Sequence, residues 1–335
     1  MKAIHLEAFG IENLQLTDIP VPAIGNNEVL VKMSAASLQY LDLLVIEGKI
    51  FPDLKFPYIP VSEGMGIVEK VGNKVTYWKQ GDRVLIPFIT RWQSGKINSY
   101  KNELRTGLQL QGILSEFSVQ PGSTLVAAPK NLKDEEAAPL SVAGLTAWSQ
   151  LVTQARIKSG QTILVQGSGG ISLFALQIAK LFGLKIIATT GNKEKVSKLK
   201  ELGANEVINY KEVQFLSEEV KRLNGGVGVD VTLDVGGRNT LMQSVLSCKE
   251  NGYVGLVGFL SGSEITIDIL PVIMNYIRIQ GYSVGNASQL SDFVNAIEIN
   301  NLKPVIDRVF TIEKTKDAFL KLKSGEAFGK IIIKF

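Results

Sequence analysis

Thr162-Ile-Leu-Val-Gln-Gly-Ser-Gly-Gly-Ile-Ser172 runs straight into Leu173-Phe-Ala-Leu-Gln-Ile-Ala-Lys180. A short apolar strand, Ile163 to Val165, ends in Gly167-Ser-Gly169-Gly-Ile-Ser172, and a stretch with helical apolar spacing (Leu173, Leu176, Gln177, Leu181) follows without a break. Gly167 permits a tight turn, Gly169 has no Cβ to hold a pyrophosphate off the backbone, and Ser172 is small enough for helix and strand to pack closely. The helix N-terminus offers unpaired N–H groups and the positive end of a dipole to an anion. A lone glycine turn says little. Strand, turn and helix in this order read as a dinucleotide phosphate site, with Gly167, Ser168, Gly169, Gly170 and Ile171 as the expected contacts.

Outward from this turn, strand-like and helical patterns alternate. Expected strands are Thr162–Val165, Lys185–Thr189, Glu206–Ile208, Val229–Asp234, Gly252–Gly258 and Ile277–Tyr282, with helices such as Lys193–Leu202 and Leu216–Leu223 in between. That alternation predicts a parallel sheet covered by helices on both faces. The residues up to about Ala128 read differently, as short strands (Val29–Met33, Gly66–Val71, Asp82–Pro87, Ser115–Val119) punctuated by glycine and proline turns, with a helix near Leu38. Such a pattern suggests a compact barrel-like β unit. The tail adds a helix (Leu290–Ile299), a strand (Ile306–Phe310), a helix (Lys314–Leu322) and a last strand (Lys330–Phe335) that returns to the first domain. The expected domains are 1–128, 129–284 and 285–335. Residues 89–112 are polar and weakly patterned, and read as a loop.

Composition removes several function classes. The 335 residues are 45% apolar, enough for two cores, and the formal charge of +4 is mild and dispersed. Nothing there calls for nucleic acid or a membrane surface. No apolar run reaches membrane-spanning length and Met1-Lys-Ala-Ile-His-Leu-Glu7 has no signal-peptide core, so a cytoplasmic location is expected. One cysteine (Cys248) and one histidine (His5) exclude an internal disulfide and leave too few ligands for a usual zinc site. His5 reads as a packed or edge residue and Cys248 as a small buried hydrophobe.

Landmarks along the whole chain now fall into one pattern: Val61-Ser-Glu-Gly-Met-Gly-Ile-Val-Glu-Lys-Val-Gly72, Gly81-Asp-Arg-Val84, Ala143-Gly-Leu-Thr-Ala-Trp148, the glycine turn, Leu202-Gly-Ala204, Val207-Ile-Asn-Tyr210 and Phe328-Gly-Lys-Ile331. Together they resemble the medium-chain dehydrogenase/reductase superfamily. The resemblance implies an α/β protein in which a doubly wound Rossmann sheet is inserted in a GroES-like, β-barrel-type catalytic domain. Zinc-dependent members place three catalytic ligands where this chain has Gln39, Ser62 and Val142, and a four-cysteine lobe where residues 87–112 hold none. The resemblance therefore points to the zinc-independent quinone oxidoreductase-like branch, with Ser37-Leu-Gln-Tyr-Leu-Asp42 a variant of that branch's Ser-Leu-Asn-Tyr-Arg-Asp motif. Gln39 and Leu41 depart from it.

The strand-end residue that selects the cofactor is Thr190, in Ala188-Thr-Thr-Gly-Asn-Lys-Glu-Lys195, where no carboxylate stands to repel a 2′-phosphate. Lys195 and Tyr210 match the positions where the branch holds that phosphate, so NADP(H) is the expected cofactor; solvated helix lysines are the competing reading of Lys193 and Lys195. Thr146, Gly236, Val257, Gly258, Phe259, Ser283, Val284 and Lys330 are implied as further cofactor contacts, although the glycines serve equally well as tight turns. Without a metal, quinones and α,β-unsaturated carbonyls are the acceptors that take hydride readily. The expectation is hydride transfer to such a small molecule, with Tyr40 as proton donor and Gln39 and Ser62 lining the region. A plain core aromatic is the competing reading of Tyr40. Tyr58, Arg91 and Trp92 are placed in the substrate cleft by position alone. An enoyl-thioester, 2-alkenal or other carbonyl reductase, or a low-turnover NADPH-binding protein, stands as the alternative. The edge strand and the family analogy imply a homodimer.

Overall fold

The computed structural model describes residues 1–335 and divides them into two compact units, one formed by Met1–Leu145 with Val284–Phe335 and the other by Thr146–Ser283. In chain order the first unit supplies β1 (Lys2–Leu6), β2 (Leu14–Asp18), β3 (Glu28–Ser37), β4 (Glu63–Val71), β5 (Arg83–Leu85), β6 (Phe117–Pro121) and β7 (Val126–Ala127). The second supplies β8 (Thr162–Val165), β9 (Lys185–Thr190), β10 (Glu206–Asn209), β11 (Val229–Asp234), β12 (Cys248–Leu256) and β13 (Arg278–Gly281). The chain then returns to the first unit with β14 (Ile306–Thr311) and β15 (Lys330–Lys334). This is the expected α/β class, a GroES-like part with an inserted parallel sheet.

In the inserted unit every strand pair is parallel and the order is β10-β9-β8-β11-β12-β13. Ile163, Leu164 and Val165 of β8 are fully buried, as a strand covered on both faces requires. On one face Leu164, Ile187, Ile208, Val220 and Val229 form a core. The chain moves outward from β8 to β10 and then crosses back to β11, so the C-terminal ends of β8 and β11 border the topological switch point where such sheets bind ligands. One strand differs from expectation. β12 begins at Cys248 rather than Gly252, because a register shift beside Val229 and Val231 absorbs extra residues, with Asn251 at φ 60°.

In the first unit the main sheet runs β14-β15-β3-β4-β5-β7, with β6 also pairing to β3. Register sets the interior chemistry. Ser37 at the end of β3 lies opposite Glu63 of β4 on one side and Ile332 of β15 on the other, so three distant segments converge there. Residues 129–145, expected with the inserted domain, belong instead to the first unit. The Arg83 guanidinium holds them, donating to the Pro129 carbonyl at 2.9 Å, the Leu132 carbonyl at 3.0 Å and the Asp134 carboxylate at 2.6 Å. The 89–112 loop contains a single short helix, Ser99–Asn102. No helix of the protein is long and apolar enough to cross a membrane.

Candidate functional site

The glycine turn is built around two different glycines. Gly167 has φ 76°, a left-handed conformation that a side chain resists. Gly169 has ordinary φ of −78° as the residue before helix Gly170–Leu181, and a Cβ placed on it would meet no protein atom within 4 Å. Open space therefore lies over the helix start, as an approaching anion needs. Side chains fix the turn from beneath. Gly167 N–H donates to Thr189 Oγ1 at 3.2 Å, and Ser172 Oγ donates to the Gln166 carbonyl at 2.6 Å. Ser172 thus contributes a hydrogen bond as well as its small size.

Gln166 continues the lattice by donating through Nε2 to Ser244 Oγ at 2.7 Å, and Ser244 donates to Asp234 at 2.6 Å. Asp234, fully buried at the end of β11, also accepts from Gly237 N–H and Thr240 Oγ1, both at 2.8 Å. The glycine turn and the loop after β11 are one hydrogen-bonded piece. Polar residues closing buried apolar strands were the available signal for Gln166 and Asp234. Gly236 and Gly258 prove to be close-approach glycines, since a Cβ would come within 2.5 Å of Thr240 Oγ1 in the first case and 2.4 Å of the Val235 carbonyl in the second.

At the ends of β9 and β10 two turns meet. Thr190 is buried, its hydroxyl accepting from Asn192 N–H at 3.1 Å, while its carbonyl accepts from Tyr210 N–H at 3.1 Å. The half-exposed Tyr210 ring lies over Gly191, where a Cβ would sit 2.4 Å from the phenol oxygen. Lys193 pairs with Glu212 across the two turns at 2.7 Å. Lys195 stands in the first turn of helix Glu194–Leu202. Thr146 is buried on helix Ala143–Trp148, Phe259 is exposed after β12, and Val284 is buried at φ 61° where the chain leaves the inserted unit. Val257 is partly covered and Ser283 exposed.

The other candidate region lies inside the first unit, around two buried carboxylates. Glu63 accepts from Ser37 Oγ at 2.9 Å, from Gln39 Nε2, and from the backbone N–H groups of Val142 and Ala143, the latter at 2.8 Å. Lys330 Nζ stands 3.4 Å from the same carboxylate and donates to the Leu38 carbonyl at 2.6 Å. Asp42 accepts from Gln39 N–H and from Ser62 Oγ, each at 2.8 Å. Burial pushes the Asp42 carboxyl up to about 7, against the pull of those two hydrogen bonds and of the Lys330 charge. Burial likewise depresses the Lys330 ammonium, with Glu63 and Asp42 opposing.

Several expectations change here. Lys330, expected to reach the cofactor, is buried with its amine engaged by Leu38 and Glu63. Ser62, expected to line a cleft, is fully buried; a Cβ on Gly107 (φ 75°) would lie 2.9 Å from its Cα and Cβ, so the loop seals it. Gln39 retains little exposure and its amide is committed to Glu63. Tyr40, the first residue of helix Tyr40–Ile46, is 38% exposed and is the one of the three that solvent or a ligand reaches freely. Tyr58 is buried with its hydroxyl on the Leu108 and Leu110 carbonyls, Trp92 Nε1 holds the Gly95 carbonyl, and Arg91 pairs with Glu103 over the Tyr100 ring. All three stabilise the loop itself. His5 sits in β1 near Glu7, and Cys248 is buried with its thiol pushed up to about 12.

The donor set around Gln39, Ser62 and Val142 does not suit a zinc ion. One position is an amide already donating, one a hydroxyl already donating, and the third an apolar side chain. Elsewhere no three His, Cys, Asp or Glu side chains gather as a metal site.

Family models match the chain in two stretches: an alcohol dehydrogenase GroES-like domain over residues 25–130 and a zinc-binding dehydrogenase over residues 170–299. A zinc-type alcohol dehydrogenase-like protein of Schizosaccharomyces pombe is 35% identical over 338 residues, covering 99% of this chain and 98% of its own length. The quinone oxidoreductase of Homo sapiens is 29% identical over 345 residues, covering 99% and 97%. Among solved structures, an NAD-dependent alcohol dehydrogenase superposes with a TM-score of 0.92 at 32% identity over 100% of both chains. The quinone oxidoreductase of Coxiella burnetii superposes at 0.82 with 28% identity, covering 100% of this chain and 99% of its own.

Proposed function

The chain belongs to the medium-chain dehydrogenase/reductase superfamily of NAD(P)-dependent oxidoreductases, and on that premise we propose that it uses NADPH, without zinc, to reduce a quinone or an α,β-unsaturated carbonyl. One observation carries the reading. The residues at the three expected ligand positions are bound into the Glu63 and Asp42 carboxylates through Gln39 Nε2, Ser62 Oγ and the Val142 N–H. With no Lewis acid there, an alcohol has nothing to hold it as the alkoxide from which hydride leaves. A quinone or enone places the incoming electron pair on its own oxygen, so its demand on the protein is small.

A reduced nicotinamide, when bound, would supply the hydride. The protein's part is to cradle the pyrophosphate on the N–H groups of the Gly167–Ser172 turn, held rigid by Thr189, Gln166 and Asp234. NADPH is favoured by the absence of a carboxylate at Thr190–Asn192 and the cations of Lys193 and Lys195. Tyr40 is the proton donor in this scheme, its phenol giving a proton to the enolate or quinolate oxygen and recovering it from water. Gln39 orients the Tyr40 backbone as the residue preceding the helix, locked by Asp42 and Glu63.

The test is a panel of quinones, alkenals, acyl-CoA enoyl esters and simple alcohols with NADPH and NADH, run on metal-analysed protein. Turnover of quinones or enones with NADPH in zinc-free protein supports the proposal. Turnover of enoyl esters alone moves it to a thioester reductase. NADPH binding without oxidation by any acceptor makes it a binding protein, and stoichiometric zinc with alcohol turnover overturns it.

We also propose a homodimer through the free edge of β13. Beside that edge, Ile269, Leu270, Ile273, Met274 and Tyr276 are each more than 60% exposed, and an apolar patch of this size next to an unpaired strand is suited to a second copy. Ile273→Glu is expected to shift the sedimentation coefficient from dimer to monomer; a wild-type monomer overturns this.

A further inference from the structure

The turns after β9 and β10 form one surface, joined by Tyr210 N–H on the Thr190 carbonyl at 3.1 Å and by the Tyr210 ring lying on Gly191. At its rim Lys193 Nζ and Glu212 Oε1 stand 2.7 Å apart, their side chains 80% and 52% exposed. Glu212 is anchored on its own turn by its N–H on the Asn209 carbonyl at 3.0 Å. Lys193 directly precedes helix Glu194–Leu202, and Asn192 Oδ1 takes the Glu194 N–H at 2.8 Å, so the backbone beside the lysine is anchored while its long side chain stays in solvent. Two lysines therefore flank the Thr190–Gly191–Tyr210 surface, Lys195 in the first turn of the helix and Lys193 just before it, and Lys193 is already paired with an internal carboxylate.

We infer that Glu212 is a specificity-determining residue, an internal counter-ion that the adenosine 2′-phosphate displaces from Lys193. The inference deepens the NADPH reading proposed above and rests on it. A phosphate monoester carries roughly −1.5 to −2 charges near neutral pH against the single charge of a carboxylate, so the exchange runs toward the phosphate. A cofactor with a 2′-hydroxyl lacks that charge and leaves the Lys193–Glu212 pair intact. Glu212 thus tempers NADPH affinity and leaves NADH affinity alone. Gly191 supports the device by letting the Tyr210 ring come close to the turn, since any side chain there would collide with the phenol.

The experiment measures dissociation constants of NADPH and NADH by titration calorimetry on full-length wild type, Glu212→Gln, Lys193→Met and the double variant. Glu212→Gln is expected to tighten NADPH by about two- to fivefold, the scale of an exposed ion pair, with NADH unchanged. Lys193→Met is expected to weaken NADPH, and in its background Glu212→Gln is expected to have no effect. Both side chains are exposed, and an unchanged melting temperature confirms folding. An unchanged NADPH constant in Glu212→Gln, or equal changes for both cofactors, overturns the inference even if Lys193→Met weakens NADPH. Tighter NADH than NADPH binding in the wild type, with Lys193→Met silent, instead overturns the NADPH reading itself.

Discussion

The Lys330 ammonium lies 3.4 Å from the Glu63 carboxylate, and both side chains are buried, so the two charges face each other inside the Glu63 hydrogen-bond network. Removing one member of such a pair costs about 3–5 kcal/mol, because the survivor stays buried and uncompensated. Glu63→Gln is therefore expected to lower stability by about that amount in urea unfolding. Glu63→Gln with Lys330→Met is expected to recover part of the loss. Equal stabilities for the single and double variants would show that the ion pair is not what holds the network.

Asp42 links this network to pH. Its carboxyl is raised from 3.8 to about 7, first by burial and also by neighbouring Glu63, with the Gln39 and Ser62 hydrogen bonds and Lys330 opposing. A proton that the unfolded chain releases near its ordinary value is kept by the native state, so the stabilisation is complete below that value and lost as pH rises through about 7. Between about pH 5 and about pH 8 the urea midpoint of the wild type is expected to fall relative to that of Asp42→Asn. Parallel curves for the two proteins would refute the assignment.

The two glycines of the phosphate turn are expected to fail differently. Gly169→Ala adds a methyl into open space at an ordinary φ, so unfolding stability should stay within about 0.5 kcal/mol of wild type. Its dissociation constant for NADPH should rise by about tenfold, a loss of about 1.4 kcal/mol. Gly167→Ala forces a left-handed alanine and should cost about 1–2 kcal/mol of stability outright. Differential scanning calorimetry beside NADPH titration separates the two.

Tyr40→Phe tests the proton donor. Loss of a general acid lowers turnover by at least about 100-fold. With an alkenal acceptor kcat should fall on that scale while KM for NADPH holds. A quinone, which water protonates readily once reduced, should be affected less. Equal kcat values for variant and wild type with both acceptors would return Tyr40 to a surface aromatic.

The nucleotide-binding part of the fold was legible because its signals are local. β8 and β11 occupy Thr162–Val165 and Val229–Asp234 as the apolar runs indicated, and helix Leu216–Leu223 fell at its expected residues. The extra residues in β12 escaped notice because a bulge depends on the partner strand's register. The boundary at 129 was displaced for a similar reason, since Arg83 draws residues 129–134 to the first unit by contacts that no local pattern announces. Ser62, at one missing ligand position, and Tyr40, beside another, looked alike as polar candidates. Only Gly107, packed on Ser62 from the weakly patterned loop, distinguishes a sealed hydroxyl from an exposed phenol.

Read alone, the chain determined that a strand, a glycine turn and a helix follow one another at Thr162–Leu181, that a β-rich part precedes them and returns after them, and that a single cysteine and a single histidine leave too few ligands for a usual zinc site. Those conclusions depend on residue type and on spacing within one turn or strand, where backbone geometry alone sets the outcome. Tertiary structure decided which atoms the absent ligands left behind and what they now bind. Ser37, Gln39 and Lys330 meet on Glu63 where β3, β4 and β15 lie side by side, and Val142 and Ala143 reach it from the start of helix Ala143–Trp148. A buried carboxylate takes whichever donors folding brings to it, and contacts between segments distant in sequence, rather than neighbouring residues, chose these five.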